Sequence, residues 1–180
     1  MTRMKMLTVL TMLGMGLWLA GLAVAADDQK EAKDRGDKEF VKKVSASGLA
    51  EVNLSELAVR FARDPAVKQF AQRLIADHMR ANRELTAMAN RHSIALPKEM
   101  DEKHQKLYDK LKTLSGKKFD CEYMEAMVKD HEEAVKLFEK ESKDGKNEGM
   151  KEWAGKLAPI LKRHLEKSRE ICKNVKEEKK

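Results

Sequence analysis

The sequence has few aromatic residues, few prolines and no recognisable catalytic motif, and each of these absences narrows its possible function. Aromatic side chains make up 5% of the 180 residues and do not alternate with clustered basic residues, so nucleic-acid binding has no support. No nucleophile motif, glycine-rich phosphate loop or catalytic pair of acids is present, so an enzyme is not indicated. Only three prolines occur, and the interleaved Lys and Glu residues favour an all-α protein with solvated helix faces.

The first 25 residues carry the three parts of a secretory signal peptide. Arg3 and Lys5 precede a stretch from Met6 to Ala26 that has no charged residue, and Ala23-Val24-Ala25 is a small-residue cleavage pattern. Cleavage after Ala25 predicts a periplasmic or secreted protein. The alternative is an uncleaved N-terminal helix that anchors the protein to the inner membrane, since the apolar run is nearly long enough to span a bilayer.

The rest of the chain predicts one helical domain over residues 37–176, preceded by a disordered polar segment (26–36) and followed by a charged tail (177–180). Three aspartates are predicted to be helix N-caps: Asp37, Asp64 and Asp101. Pro65 directly follows Asp64 and is therefore predicted to be the first residue of the second helix. The pattern gives four long helices and one short helix, at about 37–63, 65–92, 102–115, 119–142 and 148–175.

Each long helix has an apolar stripe with spacings of three and four residues, which marks the buried seam of a helix bundle. One charged or imidazole side chain interrupts each stripe near its middle: Glu51, His78, His131 and His164. Antiparallel pairing about turns near residues 64–65 and 147–148 places Glu51 level with His78, and His131 level with His164. Because burying such groups alone is unfavourable, the four side chains are predicted to meet.

Two interpretations of this cluster stay open. Three imidazoles and one carboxylate can bind a transition metal, and these ligand types suit Zn, Cu, Fe or Mn. Alternatively, the buried glutamate pairs with the histidines and fixes the helix register without metal. Asp77 and Asp130 point about a quarter-turn away and are expected to reach backbone or solvent, while His92 and His104 are expected to be exposed.

Only two cysteines occur, Cys121 and Cys172, and the same hairpin pairing places them opposite each other. In an exported protein this arrangement predicts a disulfide bond between them. The alternative is two free thiols on separate helix faces.

The segment from Asp37 to about Ile171 resembles the bacterial domain-of-unknown-function family numbered 4142, in the ferritin-like superfamily. The resemblance lies in short pieces: Gly48-Leu49-Ala50-Glu51, Ile75-Ala76-Asp77-His78, Leu114-Ser115-Gly116, Phe119-Asp120, Met127-Val128-Lys129-Asp130-His131 and Leu161-Lys162-Arg163-His164. It implies an exported, ferritin-like antiparallel four-helix bundle with one extra short helix and no established activity. The di-iron sites of that superfamily use Glu-x-x-His, which is absent from this sequence, so an oxygen-activating di-iron centre is not expected.

The sequence therefore supports two hypotheses about function. The first is an exported bundle that binds a divalent transition metal through the His/Glu cluster, in a metal- or stress-response role. The second is a non-catalytic structural or interaction bundle whose lysine-rich faces contact components of the cell envelope, with the cluster serving only as a buried polar clasp. Metal retention by the purified protein discriminates between them.

Overall fold

The protein, seen in a computed structural model, is built from helices joined by short turns. The structure describes the backbone of residues 17–177 and the side chains of residues 36–177. Its helices are α1 (Leu17–Phe61), α2 (Pro65–Arg91), α3 (Glu102–Lys112), α4 (Gly116–Asp144) and α5 (Glu148–Glu177), and the described residues contain no strand. The predicted all-α helical bundle is confirmed; the bundle described below is the compact unit that begins at Gly36.

The helix starts predicted at Asp64 and Asp101 are found. The Asp64 carboxylate accepts a hydrogen bond from the backbone N–H of Ala66 at 2.7 Å, and Pro65 is the first residue of α2. The Asp101 carboxylate accepts from the backbone N–H of His104 at 3.0 Å. Both side chains satisfy backbone donors that have no partner inside the helix.

The start of the first helix was predicted wrongly. Helix α1 begins at Leu17 and continues through residues 26–36, which were expected to be disordered, and through Asp37, which was expected to be its N-cap. No proline lies between Leu17 and Phe61, so nothing in this stretch forces the helix to end. The Asp37 carboxylate instead lies near the α4–α5 turn, where it accepts from the backbone N–H of Lys146 at 3.4 Å.

The N-terminal and C-terminal predictions fall largely outside the described residues. Most of the predicted signal peptide (1–25) and all but the first residue of the charged tail (177–180) belong to the parts whose placement is not described. Among the described helices, none has the length and apolar character needed to cross a membrane. The signal peptide and its cleavage site therefore stay predictions.

Helices α4 and α5 run antiparallel, and a ladder of ion pairs marks their register. Three acidic residues of α4 pair with three basic residues of α5 at N–O distances of 2.6–2.9 Å, one pair every seven residues: Glu125–Lys176, Glu132–Arg169 and Glu139–Lys162. The members of each pair are 38–56% exposed, so solvent screens their attraction and they contribute little to stability. Their regular spacing shows that the two helices face each other without a break in register.

A buried aspartate ties α4 to the turn between α1 and α2. Asp120 accepts hydrogen bonds from the backbone N–H groups of Arg63 and Asp64, both at 3.0 Å. Gly116, four residues earlier, has a φ of +57°, a backbone conformation that favours glycine. The Leu114-Ser115-Gly116 and Phe119-Asp120 pieces of the sequence thus build the junction that fixes one end of the bundle.

The two cysteines lie in one apolar cluster but are free thiols. Hairpin pairing places the two positions at the same end of the bundle, and both belong to or pack against the first apolar cluster. The Cys121–Cys172 disulfide itself stays a prediction.

Two clusters of buried apolar side chains fill the bundle, one near each end. The first lies towards the α1–α2 turn and includes Leu54, Leu74 and Met127. The second lies towards the α4–α5 turn and includes Leu85 and Met150. The three histidines singled out by the sequence, His78, His131 and His164, fall between these clusters on their helices, and Glu51 lies at the edge of the first cluster, next to Ala50. The fold thus contains a polar layer near mid-length, enclosed by apolar core on both sides.

Candidate metal centre

Three histidines from three helices converge in the polar layer. The ring centroids of His78 and His131 are 5.8 Å apart, those of His78 and His164 are 5.9 Å apart, and those of His131 and His164 are 5.4 Å apart. Each residue offers one ring nitrogen, and these three atoms lie within 4.8 Å of one another. The facing of His131 and His164 that the hairpin spacing predicted is present.

The hydrogen bonds of these histidines leave one nitrogen of each ring without a partner. His131 Nδ1 donates to the backbone carbonyl of Met127 at 2.8 Å, which leaves Nε2 as the acceptor. His164 Nε2 donates to the Asp77 carboxylate at 3.1 Å, which leaves Nδ1 as the acceptor. His78 Nε2 is also buried, and none of the three remaining nitrogens has a hydrogen-bond partner. The polar layer therefore holds three buried ring nitrogens without a partner, and the lone pairs of His131 Nε2 and His164 Nδ1 are unused.

The spacing of the rings is close to what a shared metal ion requires, but the rings are not yet turned fully inward. Metal–nitrogen bonds of 2.0–2.1 Å place the centroids of two imidazoles on the same ion about 5.2–5.5 Å apart in tetrahedral or trigonal geometry. The observed centroid separations are 5.4–5.9 Å. One ion holds two such nitrogens about 3.3–3.6 Å apart, whereas the ring nitrogens here lie within 4.8 Å of one another, so the side chains would have to rotate towards each other to share an ion.

The electrostatic environment keeps these imidazoles in the form that binds metal. Burial, followed by the nearby His131 and His164, lowers the pKa of His78 to about 3. Burial, followed by His164, lowers the pKa of His131 to about 4, and burial also lowers the pKa of His164. All three rings are therefore neutral at physiological pH, and a metal ion displaces no proton from them.

Glu51 lies beside the histidines but is not part of the converging group. Its Oε1 atom is 3.8 Å from His131 Nδ1, the ring nitrogen that already donates to Met127, and its Oε2 atom is buried without a partner. Burial, with the charge of Asp130 as the second cause, raises the pKa of Glu51 to about 8. Glu51 is thus a protonated acid at neutral pH, and its predicted role as a metal ligand stays a prediction.

The expectation that Asp77 reaches only backbone or solvent is wrong. The Asp77 carboxylate accepts from His164 Nε2 and, at 2.6 Å, from Arg73 Nε. This carboxylate orients the imidazole of His164 and fixes which of its nitrogens is free, as carboxylates do behind metal-bound histidines. Asp77 directly precedes His78 in the sequence, but its hydrogen-bond partner, His164, lies on α5. Only the packing of α2 against α5 brings these two residues together.

A second polar group, at the start of α3, flanks the same layer. His104 is buried, contrary to the prediction, whereas His92 is exposed as expected. His104 Nδ1 lies 2.7 Å from Asp101 and its Nε2 lies 3.5 Å from Asp130, whose other oxygen accepts from Lys103 at 2.9 Å. Although burial opposes it, hydrogen bonding to Asp130 and Asp101 raises the pKa of His104. Asp130 is therefore already paired with Lys103 and His104.

The histidines line a cavity of about 290 Å³ that the polar layer shares with the neighbouring apolar core. The ring of Phe70 packs against two of the histidines, with its centroid 6.5 Å from that of His131 and 6.4 Å from that of His164. Apolar side chains of α4 and α5 line part of the cavity, and polar and charged side chains of α1–α4 line the rest. The histidines thus lie at a cavity larger than a single metal ion needs.

Two solved structures resemble this one. A structure described as CopM in the Cu(II)-bound form has a TM-score of 0.66 and 19% identity, and the match covers 77% of this chain and 96% of CopM. A putative secreted protein DUF305 from Streptomyces coelicolor has a TM-score of 0.66 and 16% identity, and the match covers 79% of this chain and 92% of that protein. At these identities the likeness shows a common helical-bundle fold.

No curated protein sequence matches the chain at a significant level. The sequence profile of one family does match, over residues 22–171, which is most of the chain and includes all three converging histidines. The chain therefore belongs to the family described as Domain of unknown function (DUF4142).

Proposed function

We propose that the protein is an exported metal-binding protein that holds one transition-metal ion through His78, His131 and His164. The observation that carries this proposal is the convergence of three rings: one nitrogen of each lies within 4.8 Å of those of the other two, and each ring has a buried nitrogen without a hydrogen-bond partner. The hydrogen bonds to Met127 and Asp77 occupy the other nitrogens of His131 and His164, so His131 Nε2 and His164 Nδ1 keep free lone pairs.

The same observation argues against a purely structural clasp. A clasp fixes helix register through hydrogen bonds, and each buried polar atom left without a partner costs about 1–3 kcal/mol. The three histidines make no hydrogen bond to one another in the described structure, and Glu51 contacts only one of them, on its occupied nitrogen. A bound metal ion satisfies all three nitrogens at once.

The donor set favours copper or zinc over manganese. Three neutral imidazoles form an all-nitrogen site, which suits copper, zinc, iron or nickel, whereas manganese prefers oxygen ligands. Copper(II) forms the most stable complexes of the divalent first-row metals, so it is the ion we expect to bind most tightly. The structural likeness to a protein solved in its Cu(II)-bound form supports this choice.

The location we propose is outside the cytoplasm. The support comes from the N-terminal pattern of basic residues, apolar stretch and Ala23-Val24-Ala25, and from the likeness to a protein described as secreted. In that compartment a single buried three-histidine site suits capture or buffering of metal ions, in a metal- or stress-response role.

Titration of the chelator-treated protein with Cu(II) and with Zn(II), followed by calorimetry and visible absorption, tests the proposal. We expect a stoichiometry of about one ion per chain and an affinity loss of more than about 100-fold in His131→Ala, beyond the range typical of residues that only support a ligand. His92→Ala is the matched control, since His92 is exposed and outside the site. Equal titration curves for wild type and His131→Ala overturn the proposal.

A further inference from the structure

One end of the bundle carries an excess of basic residues. The α1–α2 turn and the α3–α4 turn meet there: the ring centroids of Phe61 and Phe119 are 6.3 Å apart, and Asp120 accepts hydrogen bonds from two backbone N–H groups of the α1–α2 turn. Residues 60–68 and 110–118, which include these turns, contain seven basic residues and one acidic residue, the N-cap of α2. These two segments together form the basic end of the bundle.

Most cations of the basic end have no acidic partner. Lys110 pairs with Glu122, and within residues 36–177 it is the only one of the seven that forms an ion pair. The acidic residues that flank the two segments in the sequence are Glu56 and Asp109, and in the same range neither is paired with them. Four of the remaining six cations are exposed and two are partly exposed: Arg60, Arg63, Lys68, Lys112, Lys117 and Lys118.

The opposite end of the bundle does not share this excess. It is marked by the α4–α5 turn, where residues 139–152 contain four basic and five acidic residues. The two ends of the molecule therefore differ in charge. A negatively charged surface attracts the basic end and orients the bundle with that end forward.

An exposed aromatic side chain accompanies these cations. Phe61, the last residue of α1, is 39% exposed, and it is one of two large hydrophobic side chains that are exposed within residues 36–177. The guanidinium of Arg60 lies 5.6 Å from the centre of the Phe61 ring. Cations beside an exposed aromatic ring suit the interface of an anionic membrane, since the charges attract lipid head groups and the ring enters the interface.

We propose that the basic end binds the surface of a membrane that contains anionic phospholipids, with its unpaired cations on the head groups and Phe61 in the interfacial region. This inference does not depend on metal binding, because the histidines lie elsewhere along the helices. His78 is 10 residues from Lys68 on α2, and His131 is 13 residues from Lys118 on α4, which corresponds to about 15–20 Å of helix.

Co-sedimentation of the exported, purified protein with lipid vesicles tests the proposal. We expect binding to vesicles of phosphatidylcholine with 30% phosphatidylglycerol to be at least about tenfold tighter than to pure phosphatidylcholine, since each basic residue near an anionic surface tightens binding about fivefold. Binding should weaken when NaCl is raised from about 0.1 M to about 0.5 M, because salt screens this attraction. Equal binding to the two kinds of vesicle overturns the proposal.

Two matched double variants on α4 test which end of the bundle binds. Lys117→Gln with Lys118→Gln removes two cations of the basic end and is expected to weaken binding to the anionic vesicles about 25-fold, that is, about fivefold per charge. Lys140→Gln with Lys143→Gln removes two exposed cations near the other end of the same helix and is expected to leave binding within about twofold of wild type. Circular dichroism confirms that both variants are folded. Equal losses in the two variants overturn the assignment to the basic end.

A tryptophan reporter tests the position of Phe61. In Phe61→Trp, the added fluorescence should be quenched by vesicles that contain brominated phospholipid; wild type, whose Trp153 is buried in the other apolar cluster, is the control. Quenching no greater than in wild type overturns the placement of this ring. Binding to soluble polyphosphate without binding to anionic vesicles overturns the membrane as the partner.

Discussion

Replacement of Glu51 by glutamine in the metal-free protein should change how stability depends on pH. Glu51 is 6% exposed, and burial followed by the charge of Asp130 raises its pKa from 4.5 to about 8. The folded protein therefore keeps a proton on this carboxyl group at pH values where the unfolded chain has released it. The contribution of Glu51 to stability is complete below pH 4.5 and is lost as the pH rises towards 8. Glutamine is neutral at every pH and has no such loss.

The size of the effect follows from the separation of the two pKa values. Each unit corresponds to 1.36 kcal/mol, so wild-type protein loses about 3 kcal/mol relative to Glu51→Gln between pH 4.5 and pH 7, and about 5 kcal/mol by pH 9. The low pKa values of His78 and His131 act in the opposite direction, since they destabilise the folded state as the pH falls below 6.5. Both proteins contain these histidines, so the difference between them isolates Glu51.

Urea unfolding followed by circular dichroism, at half-unit steps from pH 4.5 to 8.5 and in the presence of a chelator, measures this difference. We expect the free energy of unfolding of Glu51→Gln to exceed that of wild type by an amount that grows steadily with pH. Glu56→Gln, on the exposed face of the same helix, controls for the loss of one carboxyl group. A difference that stays constant with pH, or one that shrinks, refutes the assignment of Glu51 as a buried protonated acid.

Three further substitutions test the contacts that shape the site and the fold, with exposed Asp144→Asn as their common control. Asp77→Asn should weaken Cu(II) or Zn(II) binding about 10- to 100-fold in calorimetry, because His164 loses the carboxylate that orients its ring. An unchanged affinity contradicts this role of Asp77. Asp120→Ala should lower the free energy of unfolding by about 2–3 kcal/mol, since two backbone N–H groups lose their acceptor; a loss no larger than that of the control argues against it. Gly48→Ala should change the free energy of unfolding by less than about 1 kcal/mol, because the new methyl group meets only the end of the Asn82 side chain, which can rotate away, and alanine favours the helix; a loss well above that of the control shows that Asn82 cannot move.

The convergence of the histidines was predictable because it depends on two regularities of the sequence. The spacing of apolar residues fixes which face of each helix is buried, and the position of a tight turn fixes which residues of an antiparallel pair are level. His131 and His164 satisfy both conditions, and their rings are 5.4 Å apart. The caps at Asp64 and Asp101 were predictable for a similar reason, since each acts on backbone within three residues of itself.

The contacts that the sequence did not predict depend on the rotation of each helix about its axis and on the position of the short helix α3. Asp77 is one residue from His78, and both are partly buried, so the α2 face towards α5 includes both positions. His104 is buried because α3 lies against α4, where Asp130 pairs with both His104 and Lys103, and neither contact has a sequence spacing that signals it. Asp120 reaches backbone 56 and 57 residues away. The one signal in the sequence for this contact was that Asp120 belongs to the Phe119-Asp120 piece, which resembles the family.

Elemental analysis of the untagged protein, exported by its own N-terminal segment and purified without chelators, tests the central claim most directly. The account predicts close to one copper or zinc ion per chain, retained in His92→Ala and lost in His131→Ala. Metal-free protein that also fails to bind Cu(II), Zn(II), Fe(II) or Mn(II) on titration contradicts the account. The three histidines are then a buried polar cluster without a metal, and the cavity beside them needs another explanation.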